Sequence, residues 1–149
     1  MPYDILHSSS VIIKNSFYEK ALMDHESIAN DLTHPKTSGY DYVVLAIFGS
    51  GWQLLTEAEK IYQESATADR SKYRPRKSKK CRRNVTVFFP GIHTVGKPYM
   101  MLIPFYVRGD VKINETSVEL RSCYDVYGRC NLEIPTDGKL GPFIILDVE

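Results

Sequence analysis

The chain has 149 residues, 43% of them hydrophobic, with ten Tyr and six Phe, which suits one domain with a core of ordinary size. Its longest apolar run, Val43 to Phe48, falls far short of the roughly 20 residues a membrane-spanning helix needs. The formal charge of +1 hides a split: nine of the nineteen Lys and Arg lie between Arg70 and Arg83 with no acid among them, so elsewhere ten basic residues face eighteen acids, a body of about −8 carrying a patch of +9.

Residues 1 to 8 read as a short arm without the charged start and apolar run of a secretory signal, and Pro2 stands where N-myristoylation needs glycine. Ser10 to Lys14 reads as a first strand, and Phe17 to Met23 either extends it or begins a helix. Asp24 to Leu32 reads as helical: Asp24 suits the N-cap, and Ile28 and Leu32 are four apart on one face. Thr33-His34-Pro35 ends it, because the residue before proline is pushed out of the helical region. Between Tyr40 and Ser65, the apolar stretch Asp41 to Phe48 fits a buried strand or a buried helix by periodicity. Trp52, Leu55, Glu59 and Tyr62 then fall at helical spacing. The expectation is one buried helix, kinked or broken at Gly49-Ser50-Gly51, with Leu45, Ile47, Phe48, Trp52 and Leu55 in the core.

From about 66 to 84 the sequence reads as an exposed basic loop, in which Pro75 stops any helix from running through. Strands follow: Asn84 to Phe89, then a turn-rich loop Gly91 to Pro98, then Tyr99 to Arg108 with an edge position or bulge at Pro104. Asp110 to Asn114, Ser117 to Val126, Asn131 to Ile134 and Pro142 to Val148 complete the strand set, the second of these alternating in polarity. Helices followed by strands with short turns argue a single α+β domain over residues 1–149. Two helices in the N-terminal half would pack on a mainly antiparallel sheet formed by the C-terminal half.

Arg70, Lys72, Arg74, Arg76, Lys77, Lys79, Lys80, Arg82 and Arg83 are the candidate polyanion-binding residues. A run of like charge repels itself and is stabilised by phosphate or an anionic surface, the plain alternative being a solvated loop with no partner. Tyr73 is the one aromatic inside the run, thin support for base stacking, so phosphate or headgroup contact without sequence specificity fits better. If six cations engage, adsorption to an anionic membrane gains on the order of 6 kcal/mol before ordering costs. On single-stranded RNA, six contacts give a log–log salt slope near −4, at about −0.7 each. Lys77 to Arg83 is also the kind of basic run that nuclear import receptors read.

Catalytic constellations are thin. Cys81, Cys123 and Cys130 are odd in number and sparse, which suits a reducing compartment. His7, His25, His34 and His93 stand at no familiar metal-ligand spacing with them, so neither metal nor cofactor is expected. Gly49-Ser50-Gly51 lacks the flanks of a nucleophile elbow. Gly91 to Pro98 comes within one residue of a phosphate loop, but Pro98 stands where a Mg²⁺-holding hydroxyl is needed. The expectation is a non-enzymatic protein.

Tyr40-Asp41-Tyr42-Val43-Val44-Leu45-Ala46-Ile47-Phe48-Gly49-Ser50 resembles the core helix of rhabdovirus matrix proteins, where an aromatic residue precedes an aliphatic run ending in a Leu-Ala-apolar-apolar-Gly-Ser step. The order of elements is similar too, and the size is similar to that of the shorter matrix proteins of plant-infecting rhabdoviruses. The resemblance implies a virion structural protein that self-associates, binds condensed ribonucleoprotein and adheres to the inner face of a membrane in the host cytoplasm, with the nucleus as a further location. The basic cluster here is internal and no Pro-Pro-x-Tyr motif is present, so recruitment of host budding machinery is not implied. Two other readings stand beside it: a nucleic-acid-binding regulator, such as a viral suppressor of host defence, and a small RNA-acting enzyme using His93.

Overall fold

Two long stretches in the second half of the chain, Tyr99 to Val107 and Leu140 to Leu146, are apolar at nearly every position, a pattern that calls for cover on both faces of a sheet. The computed structural model describes residues 3–9, 19–20, 23–25, 28–29, 42–47, 49, 51–64, 81–95, 99–120 and 122–147. It places them in strands β1 (Tyr3–Ser9), β2 (Tyr42–Leu45), β3 (Cys81–Phe88), β4 (Gly91–Val95), β5 (Tyr99–Arg108), β6 (Lys112–Ile113), β7 (Thr116–Ser117), β8 (Ser122–Gly128), β9 (Cys130–Ile134) and β10 (Lys139–Asp147), with a helix, α1 (Gly51–Glu64), between β2 and β3. Glu19, Lys20, Met23 to His25, Ile28 and Ala29 are also helical.

A six-stranded sheet has the order β1-β8-β5-β10-β3-β2, and a four-stranded sheet the order β4-β9-β6-β7. Every recorded pairing is antiparallel. Among the described residues from β3 onward, the chain passes between the two sheets six times, for example through Phe89 and Pro90 from β3 into β4 and at Arg129 between β8 and β9. Alternation along β5 sends Met101 and Ile103 to one face and Met100 and Leu102 to the other. On the first face they join Val85, Val87, Phe143 and Ile145 beneath Leu54, Leu55 and Ala58 of α1 and the helical Ala29. On the second they join Tyr124, Val126, Leu140 and Ile144 against Ile113, Leu132 and Ile134 of the smaller sheet. The six-stranded sheet is thus the middle of three layers.

The architecture is mostly antiparallel sheet with few helices, as the strand patterning predicts, but several elements differ from expectation. Tyr42–Leu45 is a strand rather than part of a buried helix, and it pairs with β3 from Tyr42 opposite Phe88 to Leu45 opposite Val85. The β-branched pair Val43-Val44 fits a pleated ladder, and Tyr42 and Val44 are exposed while Val43 and Leu45 are half-buried. That segment is therefore not the core helix on which the matrix-protein resemblance rests. The N-terminal arm is β1, paired with β8 along all seven residues from Tyr3 opposite Gly128 to Ser9 opposite Ser122. The expected strand Ser10 to Lys14, the helix end at Thr33-His34-Pro35 and the loop up to Gly39 lie outside the described residues.

Boundaries shift in the second half. β3 starts at Cys81 rather than Asn84, part of the loop from Gly91 is β4, and β10 starts at Lys139 rather than Pro142. The stretch Ser117 to Val126 divides into the end of β7 and most of β8, because Tyr124 draws the intervening turn inward. Its hydroxyl donates to Ser117 O at 3.2 Å and accepts from Glu119 N at 2.9 Å. At Pro104 the bulge alternative holds: β5 is a central strand, Pro104 faces Pro142, and Phe105 is the extra residue before Tyr106 pairs with Gly141.

Candidate polyanion-binding site

The site is built outward from Gly49 and Gly51. Gly49 has φ +53°, and a Cβ there would come 2.7 Å from Asp24 Oδ2. A Cβ on Gly51 would lie 2.9 Å from the His25 ring and 3.2 Å from Phe143. The absence of side chains lets Asp24 and His25 lie against the start of α1, with the His25 ring edge-on to Phe105 and Phe143 at centroid distances of 5.5 and 5.0 Å. Gly49 and Gly51 thus serve packing. Trp52 N donates to Gly49 O at 3.3 Å to close the turn.

This start fixes the helix phase. Leu54, Leu55 and Ala58 face the sheet, and Trp52, Gln53, Thr56 and Lys60 face outward. Trp52, expected in the core, is 49% exposed. Arg83 shares the α1-facing side of β3 with Val85 and Val87, and its guanidinium carbon lies 5.7 Å from the Trp52 ring centroid. Its Nε is 3.4 Å from Glu59 Oε1. Trp52 and Glu59 are seven residues apart, two helical turns, so Arg83 runs along one stripe of α1 and meets both. Each contact is modest, about 0.5–1 kcal/mol for an exposed cation–ring pair and 0–1 for a surface ion pair.

Arg82, one residue earlier in the pleat, is exposed on the opposite side. Both arginines, with Cys81 and Asn84, therefore sit on β3 and not in the expected loop of 66 to 84. Arg70, Lys72, Arg74, Arg76, Lys77, Lys79 and Lys80 lie outside the described residues. The basic run is bounded by α1, whose last residue is Glu64, and by β3, which opens at Cys81.

Other candidate chemistry is absorbed by the fold. His93 Nε2 donates to Phe89 O at 2.8 Å, and its ring packs edge-on against Phe88 at 5.1 Å, so it braces the bend at Pro90. Cys123 and Cys130 are buried, and burial pushes the Cys130 thiol up to about 11. Among the described residues no group of three or more His, Cys, Asp or Glu is placed to hold a metal ion. Nor is any helix there long and apolar enough to cross a membrane. An open groove of about 590 Å³ on the smaller sheet is lined by Asp110, Lys112 and Glu133 among others, a mixture of signs that favours no single ligand charge. Lys139 is a buried cation that charge counting missed. Its Nζ donates to Ala29 O at 2.8 Å and sits 5.9 Å from the ring centroids of both Phe89 and Tyr106, tying the helical segment to the sheet.

Trp52 is the functional candidate that sequence reasoning placed wrongly. The signal was available in the helical wheel: with Leu54, Leu55 and Ala58 inward, position 52 falls at the edge of the apolar face. Compared with known proteins, the chain matches no family model, and no curated protein matches it.

Proposed function

We propose that the chain is a non-catalytic structural protein of matrix type that binds polyanions, RNA or ribonucleoprotein and anionic membrane, through residues 70 to 83. The observation that carries the reading is the charge split, nine cations without an acid on a body of about −8. A run of like charge repels itself, and polyanion contact relieves that repulsion. In this reading the domain is α+β, with two helices on one face of the antiparallel sheet. The enzyme alternative is weakened by the His93 ring, whose Nε2 is engaged by the Phe89 carbonyl.

Self-association is the second part of the proposal. Among the described residues β2 pairs only with β3, and it forms the end of the six-stranded sheet. Its sequence, Tyr-Val-Val-Leu, carries no charge and no proline, the devices that normally block edge pairing. A second copy joined antiparallel at this edge would oppose no like charges.

The test is co-flotation with anionic and neutral vesicles, alongside RNA filter binding, each at low and high salt. Flotation with anionic vesicles alone and RNA retention, both lost at high salt, are the expected results. RNA retention without flotation would move the protein to the nucleic-acid-binding regulator class. Neither at low salt would end the polyanion reading.

A further inference from the structure

We propose that Trp52 and Arg83 form a stacking platform for an unpaired nucleobase of single-stranded RNA. The inference rests on the RNA-binding reading above and names the form of RNA that the site takes.

Three observations converge. Trp52 is 49% exposed on α1, whereas Leu54, Leu55 and Ala58 of the same helix are fully buried. Arg83 holds its guanidinium 5.7 Å from the ring centroid, and its side chain is 32% exposed. Arg83 is also the last cation of the acid-free basic run, which adjoins the pair in sequence. An aromatic face beside an arginine, next to a run of cations, is the combination that binds single strands: cations track phosphates and the ring accepts a base. A duplex keeps its base faces stacked internally and offers the ring nothing. Lipid headgroups use the cations but have no flat partner for the indole.

Glu59 is the acid in direct contact with this pair, 3.4 Å from Arg83 Nε. It holds the guanidinium beside the helix and competes with phosphate for it. Arriving RNA would exchange that carboxylate for a phosphate oxygen while a base settles on the indole.

Trp52 is the one tryptophan in the chain, so its emission reports on this site alone. The full chain is titrated with a short oligouridylate, with duplex RNA of the same length, and with phosphatidylserine–phosphatidylcholine vesicles. Emission is followed for the wild type. Affinity is measured by anisotropy of labelled RNA for the wild type, Trp52→Phe, Trp52→Ala and Glu59→Gln. The expected result is quenching by the single strand with little response to the duplex. Affinity falls about 5- to 150-fold in Trp52→Ala, the range for losing one stacked base, and largely returns in Trp52→Phe. Glu59→Gln binds more tightly, with a steeper salt dependence. Single-strand binding that leaves emission and the Trp52→Ala affinity unchanged overturns the platform while the RNA reading stands. A blue shift on vesicles with no quenching by RNA also overturns it and assigns the indole to a membrane interface. Absence of RNA binding in every variant removes the parent reading itself.

Discussion

A methyl group at Gly51 would meet the His25 ring at 2.9 Å and Phe143 at 3.2 Å, both in the buried core. Gly51 is helical, so alanine there gains about 1 kcal/mol in propensity. Overpacking costs roughly 1–3 kcal/mol and outweighs it. Gly51→Ala is expected to lower stability by up to about 2 kcal/mol in urea denaturation, and a rise in the midpoint would contradict the close packing of His25. Cys130 makes a pH prediction. Burial raises its thiol from 9.0 to about 11, so the unfolded chain ionises first. The resulting stabilisation is complete below pH 9 and falls away as pH rises from 9 through about 11. The stability difference between wild type and Cys130→Ala should therefore shrink across that window, and a pH-independent difference would contradict it. The thiol should also resist alkylation at pH 8 until the protein is unfolded.

Helix α1 was legible as a helix because the 3.6-residue period is a local property, but the series Trp52, Leu55, Glu59 and Tyr62 set its phase wrongly: Leu54, Leu55 and Ala58 form the buried face and Trp52 is exposed. Leu54→Ala should cost about 2–5 kcal/mol, measured by chemical denaturation. A loss under 1 kcal/mol would mean that α1 contributes little to the core. The Lys60–Glu57 pair, 3.3 Å long on the surface, should matter by less than about 0.5 kcal/mol. β2 was not legible. An eight-residue apolar stretch satisfies helix and strand alike, and what separates them is the free edge of β3, contributed by residues some forty positions later. Its exposed side gives a sharper test. Val44 is 58% exposed, so Val44→Lys should leave stability within about 0.5 kcal/mol while reducing concentration-dependent association in sedimentation velocity. Unchanged association would remove β2 as the contact.

Across the molecule the charge split sets the response to salt. Neutralising Arg76, Lys77, Lys79 and Lys80 together should flatten the log–log salt dependence of single-stranded RNA binding by about 3, at roughly 0.7 per lost phosphate contact. The acidic body would still repel RNA, so affinity at low salt should collapse rather than decline gently. A slope indifferent to these four changes would place the contact elsewhere. The fold should be unaffected, since the three layers are held by apolar packing on both faces of the six-stranded sheet.

Charge order and hydrophobic period belong to the chain before it folds. The basic run, the helical second half of the Tyr40 to Ser65 segment and most of the C-terminal strands could accordingly be read directly, because neighbours in sequence carry those signals. Three features needed distant partners. β1 became a strand because β8 offers it seven paired positions, although its own residues carry no clear alternation. Tyr42–Leu45 became a strand because β3 lies open beside it. Trp52 left the core because the packing of His25 on Gly51 sets the rotation of α1, and that rotation carries the indole outward to meet Arg83. Local pattern specifies what an element can be. Contacts between residues far apart in the chain choose which face it buries, and the candidate site here depends on that choice.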